Sequence, residues 1–418
     1  MKSNDLKINE KLNLAIESHK NKQFQLAEKL YKEILFFNED HLEANFQLGT
    51  LYSQLQNFKL AKPLLTKAHK LSPKSPNINL HIGNLFLSTG DPLGALNFFE
   101  KVIKVQPNFA LAHFNKGITL YKQKKYQEAV RSLERVIEIE PNNINAFNVL
   151  GFILQEVGEF KKSLAYLKKS INIDPNNSQA INTLVNLFKF IELFSLSENN
   201  SSDLTELFLF LFDKNSIDHN ALFNNAKKLI FFEETKNIVE QLIVKNELLL
   251  NNNLVKKTIK KKLFHLILQK ALFRDKFLEK FLCHIRKEFL FLIKNKNKDE
   301  NLIKEFKDFI ISFAEQSFLN EYLFFQSDEE IKIINDLKSK IEEDKNINEL
   351  YISVLGCYLP LNTSEIITHK LAKYNSKCSL FNDLVKIQIK DSILERELKS
   401  TISSLDNVTD SISKKVRE

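Results

Sequence analysis

Residues 112–129 read AHFNKGITLYKQKKYQEA, and the residues that punctuate this stretch return at one fixed interval through the first part of the chain. Gly117 belongs to the series Gly49, Gly83, Gly117 and Gly151, each 34 residues from the last. Ala129 belongs to Ala27, Ala61, Ala95 and Ala129, and a proline series runs through Pro73, Pro107, Pro141 and Pro175. An interval of 34 residues carrying two small residues and then a proline cuts the chain into five units, 8–41, 42–75, 76–109, 110–143 and 144–177.

The order of residue types predicts two antiparallel helices per unit. Helices approach closely only where a side chain is small, so the glycine of the first helix and the alanine of the second mark their crossing. Large residues fill the space beside them: Tyr52, Phe86 and Leu120 on first helices, and Tyr31, Leu65, Phe99, Leu133 and Leu167 on second helices. Proline cannot continue a helix, and it resets the chain for the next unit. The outer units depart from the pattern, with Ala15 for glycine and Glu39 for proline in the first and Ser163 for alanine in the fifth. Terminal units of a stacked array are atypical because one face lacks a neighbour.

This pattern resembles the tetratricopeptide repeat, which stretch 112–129 matches almost position for position. The resemblance implies a superhelix whose first helices line a groove that docks a protein or an extended peptide. Residues 178–196 open like a sixth unit, with Leu184 and Phe188 at helix positions, and are expected to form a capping helix. A polar stretch, 197–203, is expected to be the linker to a second domain, 204–418.

That second region has a different character. Seven of the eight glycines and seven of the eight prolines precede residue 176. The second region is instead a series of stripes with Leu, Ile and Phe at three- and four-residue spacing, in 222–232, 255–273, 275–293, 301–318 and 330–343. The fold class is therefore all-α throughout, five repeats plus a capping helix and then an all-helical domain. Ser202 or Asp203, Asp218, Asp328 and Asn362 are expected to start helices, and Gly356 and Pro360 to mark an internal turn. The end of the chain, TDSISKKVRE (409–418), starts like a capped helix at Thr409 or Asp410.

Segments 350–361 and 384–405, with 410–418, resemble the region between repeats and catalytic domain in bacterial tetratricopeptide-repeat proteins that carry a class I S-adenosylmethionine-dependent methyltransferase domain. The resemblance implies a chain that recruits for an enzyme whose catalytic domain lies beyond Glu418 or on another polypeptide.

Composition bounds the function. Of 60 basic residues only six are arginine, and 35 residues are Phe with no Trp and one Met, a pattern of AT-biased coding. The formal charge of +8 is concentrated in residues 1–196, where 25 basic residues face 18 acidic ones, against 35 and 34 in 197–418. Such a mildly basic array could attract acidic peptides or nucleic acid, but lysine enrichment from codon usage raises the charge without any anionic partner, so nucleic acid is not the expected partner. The N-terminus has no apolar run of signal-peptide length, the longest apolar run, 207–212, is too short to span a bilayer, and three cysteines lack paired spacing. A reducing cytoplasm is the expected location.

Chemistry is sparse. No glycine occurs between Gly158 and Gly356, so neither the glycine-rich turn of a nucleotide-binding domain nor a phosphate loop is expected, and no cofactor is predicted. No GxSxG elbow is present. His265, Cys283 and His284 lack metal-site spacing, so no metal is predicted. Catalysis is not expected in this chain. The candidate site is the groove, where the sixth position of successive repeats gives Asn13, Gln47, His81 and Asn115, then Val149 and Thr183. Neighbouring groove positions add Thr50, Asn84, Asn148 and Asn186. A side-chain amide both donates and accepts, so a ladder of amides can hold an extended backbone. Repeat arrays of glycosyltransferases carry a similar asparagine ladder. Asparagine is also common throughout, at 44 of 418 residues, so polar groove positions are equally expected as plain solvated surface. Leu12, Phe46 and Asn77 stand where a carboxylate clamp would need polar or basic groups, which disfavours capture of a peptide's C-terminus.

Overall fold

A computed structural model describes residues 2–190, 201–295 and 300–401, and every regular element among them is helical. The chain divides into two compact units, Met1–Leu187 and Phe188–Glu418. Most of the linker expected at 197–203, the end of the capping segment 178–196 and the helix start expected at Thr409 or Asp410 lie outside the described residues.

The first unit is a stack of antiparallel helix pairs: α1 (Lys2–Lys20) with α2 (Phe24–Phe37), α3 (Leu42–Gln54) with α4 (Phe58–Leu71), α5 (Pro76–Ser88) with α6 (Pro92–Val105), α7 (Ala110–Lys122) with α8 (Tyr126–Ile139), and α9 (Ile144–Glu156) with α10 (Phe160–Ile173). α11 (Ser178–Phe190) comes next. Each pair closes as the small residues require. A Cβ placed on Gly49, Gly83, Gly117 or Gly151 would stand 2.5–2.7 Å from Leu65, Phe99, Leu133 or Leu167, the large residue sixteen positions on. In the first pair Ala15 and Tyr31 share the same core. Ser163, which replaces the recurring alanine, is fully buried and donates its hydroxyl to the Gly151 carbonyl at 2.7 Å, so the extra polar atom is satisfied inside the crossing.

Two further series share the interval of 34. The turn inside each pair contains one left-handed residue, Lys22, Gln56, Gly90, Lys124 and Gly158, with φ between 56° and 83°. Three are not glycine, although a side chain there carries a steric cost. His41, Ser75, Asn143 and Asn177 cap the N-termini of α3, α5, α9 and α11 by accepting from a backbone N–H three residues on. Phe109, at the equivalent place before α7, makes no such cap.

The second unit contains α12 (Ser201–Asp213), α13 (His219–Ile230), α14 (Glu233–Val244), α15 (Asn253–Ile259), α16 (Lys262–Lys270), α17 (Lys276–Lys294), α18 (Glu300–Lys304), α19 (Lys307–Leu319), α20 (Asp328–Glu343), α21 (Glu349–Gly356), α22 (Glu365–Ala372), α23 (Ser379–Val385) and α24 (Asp391–Thr401). α19 is the centre. Residues 309–317 are all buried, and α16, α21 and α23 pack around them. Phe231, Phe264, Phe281, Phe309 and Phe313 join ring to ring through this core, with centroids 5.2–6.2 Å apart.

Several helix starts differ from expectation. Asp218 caps α13 as predicted, accepting from Asn220 and Ala221. α20, however, starts from Ser327, whose hydroxyl accepts from the Glu330 N–H while Glu330 reaches back to the Ser327 N–H, so Asp328 is already helical. Ser364 caps α22, and Asn362 sits in a short 3₁₀ turn, Leu361–Thr363, where its amide donates to Ser392. Ser202 and Asp203, expected to cap α12, already lie within it. Gly356 ends α21 where a Cβ would come 3.1 Å from that of Ala314, so its role is the close approach of α21 to α19.

Lysines close helix ends in this unit. Lys370 donates to the carbonyls of Ile341, Glu342 and Asp344 at the end of α20, and Lys261 to those of Leu229 and Ile230 at the end of α13. These are the helix ends where orphan carbonyls and the dipole favour a cation.

Candidate peptide-binding groove

The first helices α1, α3, α5 and α7 stand as successive neighbours, so equal repeat positions on them share one face. The predicted site residues on these helices, and those on α9 and α11, differ in their surroundings.

Asn84 and Asn115 are brought together. The Asn115 amide donates to the Asn84 carbonyl oxygen at 2.8 Å, joining α5 to α7. Both are half-buried, and the pair leaves one amide donor and one amide acceptor to offer a ligand backbone. Gln47 and His81 flank them. Gln47 donates to Glu43 at 2.7 Å, and His81 sets its ring edge-on to Phe46 at 5.1 Å. Burial pushes the His81 imidazole below its ordinary pKa, so at neutral pH it is uncharged and presents one donor and one acceptor. Asn13 on α1 and Asn186 on α11 are exposed.

Thr50 and Asn148 face inward. Thr50 is buried and donates to the Phe46 carbonyl of its own helix. Thr183, one repeat position beyond Val149, is buried and donates to the Gln179 carbonyl. Asn148 is 2% exposed, accepts from the Ser170 hydroxyl at 2.6 Å, and donates toward Asn177 and Gln179 at 3.3 and 3.4 Å. It ties α9 to α10 and to the start of α11, with no face left for a ligand.

The structure adds residues that the sequence pattern did not single out. Asn45 and Asn79 are buried, and each donates to a carbonyl six residues back, Glu39 and Pro73; His113 places Nε2 2.9 Å from the Pro107 carbonyl at the same offset. These side chains pin the turn between repeats, and their 34-residue spacing was a signal available in the sequence. Along the repeat position shared by Thr50, Asn84 and Asn186, the fourth and fifth repeats carry Ile118 and Phe152. Phe152 is 40% exposed and meets Tyr121 edge-on at 5.8 Å. The amide pair is thus succeeded along the array by an apolar patch.

The two histidines considered as metal ligands each have a backbone partner. Nε2 of His265 lies 2.7 Å from the Ile259 carbonyl, and Nδ1 of His284 lies 2.8 Å from that of Lys280. Among the described residues no group of three or more His, Cys, Asp or Glu is placed to hold a metal ion. Among the same residues no helix is long and apolar enough to cross a membrane.

Sequence models of the tetratricopeptide repeat match 42–75, 76–109, 110–143 and 144–177. Residues 42–177 are tetratricopeptide repeats. α1 and α2, which hold the first unit of the series, repeat the same helix pairing. The chain is similar to the "Lipoprotein NlpI homolog" of Haemophilus influenzae, 32% identical over 92 residues, which are 22% of this chain and 29% of that protein. It is also similar to the "BBSome complex member BBS4 homolog" of Drosophila melanogaster, 25% identical over 127 residues, 30% of this chain and 26% of that protein. The chain therefore spans less than a third of the length of either relative. Among solved structures it is similar to MamA protein, at 19% identity over 41% of this chain and 94% of that one with a TM-score of 0.38. It is likewise similar to YrrB, described as a TPR protein with an unusual peptide-binding site, at 22% identity over 42% and 90% with a TM-score of 0.38.

Proposed function

We propose that this chain is an interaction scaffold that docks an extended segment of a partner protein along the first helices of its repeats. The observation that carries the proposal is the Asn84–Asn115 amide pair, which bridges two repeats and keeps a donor and an acceptor for a peptide backbone. His81 and Gln47 extend the polar track toward the N-terminal repeats, and Tyr121 with Phe152 supplies a place for one apolar side chain. The partner segment is therefore extended and carries an apolar residue on the side nearer the fifth repeat. Cys283, Cys357 and Cys378 are free thiols, which accords with work in a reducing compartment.

The test is a set of peptides selected from a displayed random library on the whole chain, then titrated against variants. Asn84→Ala with Asn115→Ala should weaken binding irrespective of peptide side chains, and Phe152→Asp should act only on peptides with an apolar residue at one position. Binding that ignores both changes would place the docking surface elsewhere.

A second reading is favoured by the resemblance of 350–361 and 384–405, which build α21, its following turn, α23 and α24, to the region ahead of a methyltransferase domain. Segment 410–418 lies outside the described residues. In that reading the scaffold recruits substrate for an enzyme domain encoded beyond Glu418 or on a separate chain, and the in-frame sequence downstream tests it. No binding of S-adenosylmethionine by the 418 residues is expected in calorimetry, and micromolar affinity would overturn that. RNA docking on the basic array is the third possibility, and affinity that stays flat as salt rises would exclude it.

A further inference from the structure

A cleft of about 900 Å³ lies wholly within the second unit, between the first half of α17 and residues 319–325. It falls at the upper end of the roughly 300–1,000 Å³ of ligand clefts. One wall is made by a segment that is costly to fold. Glu321 and Tyr322 are consecutive non-glycine residues in the left-handed region, at φ 51° and 57°. Beyond them the chain alternates. Tyr322, Phe324 and Gln326 turn inward: the Tyr322 hydroxyl meets Gln388 at 3.2 Å, Phe324 packs edge-on to Phe313, and Gln326 donates to the Tyr358 carbonyl. Leu323 and Phe325 turn outward and are 80% and 79% exposed.

The backbone that presents them is held from below. Arg286, 1% exposed, donates to the Phe325 carbonyl at 2.6 Å and to the Cys357 carbonyl at 3.2 Å, and its guanidinium lies 4.0 Å from the centre of the Tyr358 ring. Two large apolar side chains are thus fixed in water by a buried cation and two strained residues, where a polar loop would fold at lower cost.

The opposite wall fixes the chemistry of the occupant. Lys276, Lys280, His284 and Lys287 recur on one face of α17 at successive turns, and Arg274 stands before them. Arg274, Lys276 and Lys280 are exposed and in no ion pair among the described residues, whereas Lys227, Lys260 and Lys307 of this unit are each paired with a carboxylate. Glu279 and Glu321 are the carboxylates lining the cleft, so cations are in excess at its rim.

We propose that this cleft is a second docking site, independent of the repeat groove, which takes an amphipathic helix of a partner protein with aliphatic residues on one face and carboxylates along its flank. Leu323 and Phe325 enter between the aliphatic side chains, and Lys276 and Lys280 meet the carboxylates, the helix-in-groove mode of recognition. Charge sets the choice of partner and apolar burial holds it.

The probes are two synthetic helical peptides of about four turns, one built from Leu and Glu and the other from Leu and Lys, titrated by fluorescence anisotropy against the full chain. The Leu/Glu peptide should bind at least about tenfold more tightly than the Leu/Lys peptide. Leu323→Asp with Phe325→Asp should abolish binding, and Lys276→Glu with Lys280→Glu should reverse the preference. All four residues are exposed, so an unchanged helical signal shows that the variants fold. Equal affinity for the two peptides, or no binding of either, overturns the proposal. So does flotation of the chain with anionic vesicles, or a dimer in sedimentation, that is lost in the Leu323→Asp variant, since the surface would then serve a membrane or a second copy. Failure here leaves the repeat groove untouched, because the Asn84 and Asn115 variants report on it separately.

Discussion

Replacing Glu315 by glutamine should remove a pH dependence of stability that the fold of the second unit builds in. Glu315 sits in the middle of α19, 3% exposed, and its Oε1 atom has no hydrogen-bond partner. Burial pushes its carboxyl up to about 8, with the Asp383 carboxylate adding to the effect and a hydrogen bond from Gln269 opposing it. The unfolded chain has the ordinary value of 4.5. Below that value the group is protonated in both states and costs nothing. As pH rises from 4.5 to about 8 the unfolded chain releases its proton first, so stability falls across this window and levels off above it. At about 1.4 kcal/mol per pH unit, the full loss is bounded at about 4–5 kcal/mol. Glutamine keeps the shape and cannot ionise. The wild type should therefore lose about 2–4 kcal/mol more than Glu315→Gln between pH 5 and pH 8. Urea unfolding followed by far-ultraviolet circular dichroism measures this in a chain that has no tryptophan. Hydrogen exchange of residues 307–319 assigns the change to the second unit, because two units can unfold separately. Comparing wild type with variant cancels the other titrating groups. Parallel pH profiles for the two proteins would refute the reasoning.

The repeats give three other expected outcomes. Gly83→Ala brings a Cβ to 2.5 Å from the fully buried Phe99 ring, so overpacking of about 1–3 kcal/mol should outweigh the gain in helix propensity of about 1 kcal/mol, seen as a lower midpoint in thermal unfolding. Gln56→Gly removes a side chain from a left-handed turn and should stabilise by up to about 1 kcal/mol, whereas Gly90→Ala, at the equivalent position, should destabilise by about as much. Asn148→Ala should cost about 1–3 kcal/mol by leaving Ser170 and Asn177 short of partners, while Asn115→Ala changes stability by less than about 0.5 kcal/mol; chemical denaturation separates the two.

The repeats were legible because each structural demand falls on the same residue type every 34 positions. Gly49 with Leu65 and Gly151 with Leu167 are one contact written several times, and repetition makes it readable. The left-handed turn was not read, because Lys22, Gln56 and Lys124 alternate with Gly90 and Gly158 and conceal the series. The groove was legible as a position and not as an environment. Asn115 and Asn148 are the same residue type on adjacent first helices, yet one meets Asn84 across a repeat boundary and the other is enclosed by Ser170 and Asn177. That difference depends on α10 and α11, which no spacing along α9 encodes. In the second unit the helical class came from its stripes, but the starts at Ser327 and Ser364, in place of Asp328 and Asn362, depended on which of two nearby polar residues found a backbone N–H. Nothing periodic marks Arg286, whose partners lie 39 and 71 residues away.

The central claim is that the first helices of the repeats hold a partner's backbone through side-chain amides and one neutral imidazole. Its most direct test replaces Asn13, Gln47, His81 and Asn115 together by alanine and measures, by calorimetry, the affinity for a peptide selected on the wild-type chain. The account predicts affinity weaker by at least about tenfold, equal to about 1.4 kcal/mol, with the helical signal and melting of the array unchanged. Undiminished affinity in that variant would contradict it.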